Sequence, residues 1–305
     1  LNNSKHRLKL SFLLPKYWGI WLGYGILRLI AFLPYTTKIH LGENLGKFIY
    51  WIAGNRKKVA LKNLKTAFPE KDNDEINTLL FEHFKSLGVT LVEFTITTWG
   101  RHRYSQQDNE TRYFTYYGLE HLKENRDQGI LLLVPHFTTT EITGLMVSFI
   151  TDYSPIYRAN DNALLDYLIR KSRTQRTQKT KQKQVTPLVN TDTKSMLKAL
   201  RDKKILFILP DQKYNGKGSV KVPFFGKPAP SNPGITKLAK LGRAKVIPCF
   251  TRRNGVHYEM YFHAPLENFP SGNDYEDILR LHKLYEDEIR QNPSQYLWVH
   301  NRWRQ

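Results

Sequence analysis

One short run does most to limit what this chain can become: Gly129-Ile130-Leu131-Leu132-Leu133-Val134-Pro135-His136. Five unbroken apolar residues after a glycine and before a proline predict a central strand buried on both faces. An α/β core begins at this strand. Further strands are predicted over Ile205 to Leu209, Ala244 to Phe250, Tyr258 to Phe262 and Tyr296 to Val299. Helical stretches at Thr193 to Leu200, Gly234 to Leu241 and Asp274 to Gln291 fall between them. Alternation at these lengths predicts an α/β fold with a central mostly parallel or mixed sheet covered by helices.

The part before about residue 105 reads differently. Residues 54 to 70 carry Val59, Leu61, Leu64 and Phe68 among basic residues, a basic amphipathic helix that stops near Pro69. Asp72, Asn73 or Asp74 can cap the next helix, which runs through Ile76, Leu80, Phe84 and Val89 toward Trp99. Residues 17 to 36 are apolar and aromatic and follow a basic stretch that includes Lys5, His6, Arg7, Lys9 and Lys16. Their uncharged run ends at Arg28 after 11 residues, short of the roughly 20 a spanning helix needs. Tyr17, Trp18, Trp21 and Tyr24 suit an interfacial helix with rings at headgroup depth, and the same spacing also fits a core helix. No small-residue cleavage pattern follows. The expected organisation is a membrane-associating segment over 1–40 and a single α/β domain over 41–305 whose first part is helical.

The chain has 305 residues, with 47 Lys and Arg against 27 Asp and Glu, a net charge of +20. Such an excess argues for an anionic partner, and nucleic acid, an anionic membrane and an acidic protein all satisfy it. One basic run spans Arg170 to Lys183 without an acid and includes Lys171, Arg173 and Arg176. It reads as a solvated loop or as a docking patch for an anionic partner. A single cysteine, Cys249, excludes disulfide frameworks and thiolate-built metal sites. Its apolar surroundings predict a buried structural thiol. The ten histidines include no close helix-spaced pair with an acid, so no metal site is expected.

The chemistry-bearing motif is Pro135-His136-Phe137-Thr138-Thr139-Thr140-Glu141, at the carboxyl end of the predicted strand, where open α/β sheets bind ligands. Glu141 falls near the first turn of the next helix. Five positions on a helix turn through about 500°, so the two side chains meet only if His136 lies in the loop before it. Given that, a neutral imidazole held by Glu141 at one nitrogen can take a hydroxyl proton with the other. A histidine and an acid at this spacing are not diagnostic by themselves, and no Gly-x-Ser-x-Gly signal supports serine-style catalysis. Arg158 is a candidate for binding phosphate or stabilising developing negative charge, or else for an ion pair behind the site. Asp211, after another predicted strand, can line the same cleft. Phe137, Phe224 and Phe225 are candidates to flank an apolar groove, and also fit a simple core.

His136 and Glu141, Tyr157-Arg158 with Asn160-Asp161, Asn63-Leu64 with Phe68-Pro69-Glu70, Leu209-Pro210-Asp211-Gln212, Val222-Pro223-Phe224-Phe225-Gly226 and Gln295-Tyr296-Leu297-Trp298-Val299-His300 occur in order. In these segments the chain resembles the lipid A biosynthesis late acyltransferases, over roughly residues 15 to 304. The resemblance implies an acyltransferase at the cytoplasmic face of a bacterial inner membrane. It implies an acyl-acyl-carrier-protein donor with no tightly bound cofactor, and a Kdo-bearing lipid A precursor as acceptor of a lauroyl or myristoyl chain. It also implies that His136 deprotonates the attacking hydroxyl. Pro230 to Gly234 and Asn301 depart from the family pattern, the latter leaving Arg302 and Arg304 to supply charge. A glycerolipid acyltransferase and a basic nucleic-acid-binding protein are the rival readings. The second lacks any nucleic-acid fold signature, so nucleic acid is not expected as a partner.

Overall fold

The computed structural model describes residues 8–100, 112–174 and 185–303. Lys5, His6, Arg7, Arg176 and Arg304 lie outside the described residues, as do the other basic residues from 179 to 183.

The amino-terminal part is helical: α1 (Trp18–Ile30), α2 (Tyr35–Ile52), α3 (Gly54–Ala67) and α4 (Asn73–Thr95), which continues into a π-helical turn Ile96–Gly100. Asp72 caps α4 in a reciprocal capping box with Glu75. Pro34 ends the apolar segment, so the expected interfacial stretch is a short helix and the start of a second, and residue 40 falls inside α2. The close approach of α2 and α4 depends on three glycines. A Cβ on Gly88 would stand 2.1 Å from the Gly42 carbonyl oxygen and 2.3 Å from the Gly46 nitrogen, so the two backbones pack directly.

The remainder interleaves strands and helices. The elements are β1 (Phe114–Tyr117), α5 (Leu119–Lys123), β2 (Ile130–Leu133), α6 (Thr140–Ile150), β3 (Ser154–Tyr157) and α7 (Ala163–Thr174). Then come β4 (Leu188–Val189), α8 (Thr193–Arg201), β5 (Ile205–Ile208), β6 (Val220–Phe224), β7 (Lys227–Ser231) and α9 (Gly234–Gly242). The chain ends with β8 (Lys245–Asn254), β9 (His257–Phe262) and α10 (Asp274–Gln291). Seven strands form one mixed sheet in the order β1-β9-β8-β2-β5-β3-β4. All neighbours are parallel except the β8–β9 hairpin.

The apolar run at 130–133 is central, and period two splits it between two cores. Leu131 and Leu133 face one core with Leu206, Val246 and residues of α3, α4, α8, α9 and α10. Ile130 and Leu132 face the other with Ile205, Phe207, Ile247 and residues of α2 and α6. Cys249 is fully buried in the second core, and burial pushes its thiol pKa well up.

Two expectations need correction. Tyr296 to Val299 is not a strand: among the described residues its β-pairing is a single antiparallel bridge, Phe137 to Tyr296. Two local backbone bonds turn it instead, from Trp298 N–H to Tyr296 C=O and from His300 N–H to Leu297 C=O. The basic run from Arg170, read as a loop or a docking patch, begins as helix, since α7 runs to Thr174.

The expected aromatic face of α1 is divided. Tyr17, Trp21 and Tyr24 pack with Ile20 around Phe12, Leu164 and Leu168, while Trp18 stays exposed. With it, Leu22, Ile26 and Leu29 form an exposed stripe at helical spacing. On α2, Leu41, Phe48, Trp51 and Ile52 are likewise exposed. No helix among the described residues is long and apolar enough to cross a membrane.

Candidate active site

The carboxyl ends of β2 and β5 build the site. Their parallel register pairs Leu133 with Ile208. Three residues further on, each chain has passed a proline and reached a polar side chain, His136 on one and Asp211 on the other. The two meet: His136 Nδ1 lies 2.6 Å from Asp211 Oδ1, and the His136 backbone N–H donates to Asp211 Oδ2 at 3.0 Å. Tyr296 Oη–H also donates to Oδ2 at 3.0 Å.

Asp211 is buried, its side chain 1% exposed against 25% for His136. Burial acts to raise the Asp211 pKa, but the charge of His136 and the hydrogen bonds from His136 and Tyr296 outweigh it and hold the carboxyl below its ordinary value. An ionised carboxylate only accepts hydrogen bonds, so the proton of a neutral His136 sits on Nδ1 and the lone pair on Nε2.

This corrects the expected pairing. Glu141, in the first turn of α6, does not hold His136. It accepts from Arg173 on α7 at 2.6 Å, both side chains about one-quarter exposed. The Glu141 charge raises the Arg173 pKa further. The acid five positions away fastens two helices at the sheet edge, and the carboxylate that pairs with His136 comes from 75 residues downstream.

The loop after His136 is fixed from three sides. Gln295 C=O accepts from Thr138 N–H at 2.7 Å, and His136 C=O accepts from Leu297 N–H at 2.9 Å. Thr138 C=O accepts from Thr90 Oγ1 at 2.7 Å. Beneath it, a buried network joins Arg253 to Glu93, Ser86 and Thr138, with Tyr258 Oη donating to Glu93 Oε1 at 2.6 Å. Arg253 and Gln295 exchange two backbone-to-amide bonds of 2.9 Å. Burial pushes the Glu93 pKa up, opposed by the Arg253 charge.

The segment Gln295 to His300 is thus a strap across the His136 loop. It is held from α3, where Asn63 Nδ2 donates to the carbonyls of Trp298 at 2.7 Å and His300 at 2.6 Å, and Arg56 reaches Val299 C=O. Arg302 is buried and donates to Pro230 C=O and Ser231 Oγ, both at 2.7 Å.

The other candidates fall as follows. Arg158 is exposed just past β3 and has no hydrogen bond or ion pair among the described residues. It stands at the same sheet edge, because β3 runs parallel beside β5. Arg170 and Lys171 lie over the rings of Tyr157 and Tyr167. Phe137, Phe224 and Phe225 do not line an open groove. All three are buried in one core with Tyr296 and Trp298, where Phe137 and Tyr296 meet edge-on at 5.8 Å. Phe225 and Gly226 have φ of 50° and 69° and make the tight β6–β7 turn. Among the described residues no three His, Cys, Asp or Glu side chains gather as metal ligands.

One feature escaped the sequence reading: a concavity of about 600 Å³ on the outer side of α3, lined by Lys58, Leu61, Lys62, Lys65, Thr66, Pro69 and Lys227. Four lysines and no acid line it. The helical spacing of Lys58, Lys62 and Lys65 was legible as a face, but Lys227 joins only through the fold.

Residues 5–305 match the family model described as bacterial lipid A biosynthesis acyltransferase. A lipid A biosynthesis acyltransferase of Haemophilus influenzae is 32% identical, over 99% of this chain and 96% of its own. The lipid A biosynthesis lauroyltransferase of Escherichia coli is 31% identical over 95% and 92%, and its myristoyltransferase 24% identical over 98% and 91%. A solved 1-acyl-sn-glycerophosphate acyltransferase from Thermotoga maritima superposes with a TM-score of only 0.35 at 12% identity, covering 85% of this chain and 95% of its own.

Proposed function

The chain belongs to the bacterial lipid A biosynthesis acyltransferase family, and from that premise we propose that it transfers a fatty acyl chain from acyl-acyl-carrier-protein to a hydroxyl of a Kdo-bearing lipid A precursor. A lauroyl or myristoyl chain is the expected cargo, as the names of two relatives suggest.

The observation that carries this reading is the His136–Asp211 pair, which leaves Nε2 unprotonated on the partly exposed side chain of the pair. His136 Nε2 takes the proton of the acceptor hydroxyl as its oxygen attacks the thioester carbonyl carbon. The tetrahedral adduct collapses with cleavage of the carbon–sulfur bond, and the carrier thiolate recovers the proton from Nε2. Asp211 holds the ring in the productive tautomer and stabilises the imidazolium that forms between the two transfers. A thioester is already activated, so these steps use only the protein's own groups.

The exposed apolar stripes of α1 and α2, with Lys16, Lys47 and Lys57 nearby, support peripheral seating on an anionic bilayer, the cytoplasmic face of the inner membrane. The long acceptor lipid then need not leave its leaflet.

The test is transfer by membrane-reconstituted protein from carrier-protein thioesters of several chain lengths, with products identified by mass spectrometry. Purified lipid A precursor and a lysophosphatidic acid are offered in parallel. Acylation of the precursor is expected; transfer to the glycerolipid alone, or to neither, overturns the substrate assignment.

A further inference from the structure

His300 is a second imidazole at the site that the scheme above leaves without a task. Its backbone is fixed: the carbonyl accepts from Asn63 Nδ2 at 2.6 Å, and its N–H donates to Leu297 C=O at 3.2 Å. Leu297 N–H in turn donates to His136 C=O, so His300 lies one turn beyond the residue stitched to the base. Its ring is fixed as well. Lys213 N–H, two residues past Asp211, donates to His300 Nε2 at 3.2 Å. A ring nitrogen that accepts a backbone N–H carries no proton, so the proton of a neutral His300 is on Nδ1. Nδ1 has no hydrogen-bond partner among the described residues and is not among their buried unpaired atoms. It is an open donor.

The short loop after β5 therefore sets both imidazoles. The Asp211 side chain takes the Nδ1 proton of His136 and leaves an acceptor at Nε2. The Lys213 amide occupies Nε2 of His300 and leaves a donor at Nδ1. Burial keeps the donor neutral by lowering the His300 pKa, and a positive charge on His136 lowers it further. When His136 becomes imidazolium during the reaction, protonation of His300 becomes harder still. A neutral N–H on a ring held by the same loop that holds the base suits the need that acyl transfer always has, a fixed donor for the oxygen on which negative charge develops.

We infer that His300 is a second catalytic residue, whose Nδ1–H donates a hydrogen bond to the thioester carbonyl oxygen as it becomes an oxyanion. No proton is transferred in this step; the hydrogen bond shortens as charge builds and relaxes when the carbon–sulfur bond breaks. The inference rests on the proposed His136 mechanism.

The experiment combines kinetics with nitrogen NMR on the full chain. Removing a donor used only in the transition state lowers kcat by about 10²–10³, so His300→Ala is expected to lose that much with KM within about twofold. His300→Gln, which keeps an amide donor, is expected to recover part of the loss. In protein labelled with ¹⁵N histidine, His300 is expected to be neutral at pH 7 with its proton on Nδ1. A folded His300→Ala that keeps full kcat, or one that loses only in KM, overturns the inference, as does finding the proton on Nε2. The His136 reading fails separately, by full transfer from a folded His136→Ala, and the NMR result does not depend on turnover.

Discussion

Asp211 Oδ1 stands 2.6 Å from His136 Nδ1 while its other oxygen takes bonds from the His136 backbone and Tyr296 Oη, both at 3.0 Å. One carboxylate therefore sets the tautomer, the ring and the loop together. An amide in its place keeps the shape but not the charge. Asp211→Asn is expected to lower kcat by roughly 10²–10⁴, by analogy with the loss of an orienting carboxylate in a serine protease triad. Tyr296→Phe removes one of three bonds to the carboxylate, worth about 1 kcal/mol, and is expected to lower kcat only several-fold. Steady-state transfer rates on folded variants check both. Equal losses would contradict the ranking.

Glu141 and Arg173 act as a unit across α6 and α7. Releasing either leaves the other without its partner at the edge where the substrate is expected. Glu141→Gln and Arg173→Met should each depress activity, and the double variant should be no worse than the poorer single one. A double-mutant cycle on kcat/KM measures this coupling, and additive losses would mean that the two residues act separately.

Which parts of this site a reader can find in the sequence depends on range. The run at 130–134 announces a central strand because its burial on both faces leaves no polar residue in it, and His136 follows directly. Helix Asp274–Gln291 is legible from its periodicity and its Asn273 cap. The partner acid is not legible locally. Glu141 is near in sequence, but the first turn of α6 aims it at α7, whereas Asp211 meets His136 only because β5 lies beside β2. One signal was present: Leu-Val-Pro-His at 133–136 and Ile-Leu-Pro-Asp at 208–211 are the same apolar-apolar-proline-polar ending. Reading them as neighbouring parallel strands in register aligns His136 with Asp211. The strap resembles a strand in sequence because Tyr296, Trp298 and Val299 are typical strand residues, although their burial is against the aromatic core rather than in a sheet. Strands β1, β3 and β4 are two to four residues long, too short for a periodic pattern to declare itself.

Removing the buried charge at Arg253 strands Glu93, which is 0% exposed. Arg253→Met is therefore expected to destabilise the fold by about 3–5 kcal/mol. The paired replacement Glu93→Gln with Arg253→Met should recover part of that loss, measured by urea unfolding. A smaller loss in the single variant than in the pair would show that Glu93 is not stranded by the loss of Arg253.

The proposed membrane seating involves α2 as well as α1. Trp51 and Phe48 are 77% and 60% exposed. Aromatic side chains of this size gain about 1.5–3 kcal/mol when fully removed from water. Phe48→Ser with Trp51→Ser should weaken binding to anionic vesicles by tenfold or more, without lowering the melting temperature. Unchanged co-sedimentation would remove α2 from the contact surface.

Acid should unfold this protein earlier than its surface carboxylates alone would require. His83 is completely buried, with Nδ1 on the Ser294 carbonyl and Nε2 unpaired, and burial lowers its pKa from the ordinary 6.5 to about 4. His282 is lowered to about 4 by burial and then by the Arg302 charge. Both groups bind a proton more readily in the unfolded chain, so neither affects stability above pH 6.5. As pH falls from 6.5 toward 4, the unfolded state is favoured, by up to about 3 kcal/mol for each histidine. Asp211, whose pKa is lowered in the fold, adds its loss only below its ordinary value of 3.8. Urea unfolding free energies at pH 7.5, 6, 5 and 4.5 should decline steadily, with most of the loss below pH 6. A profile flat to pH 4.5 would mean that the two rings are protonated, and solvated, in the native protein.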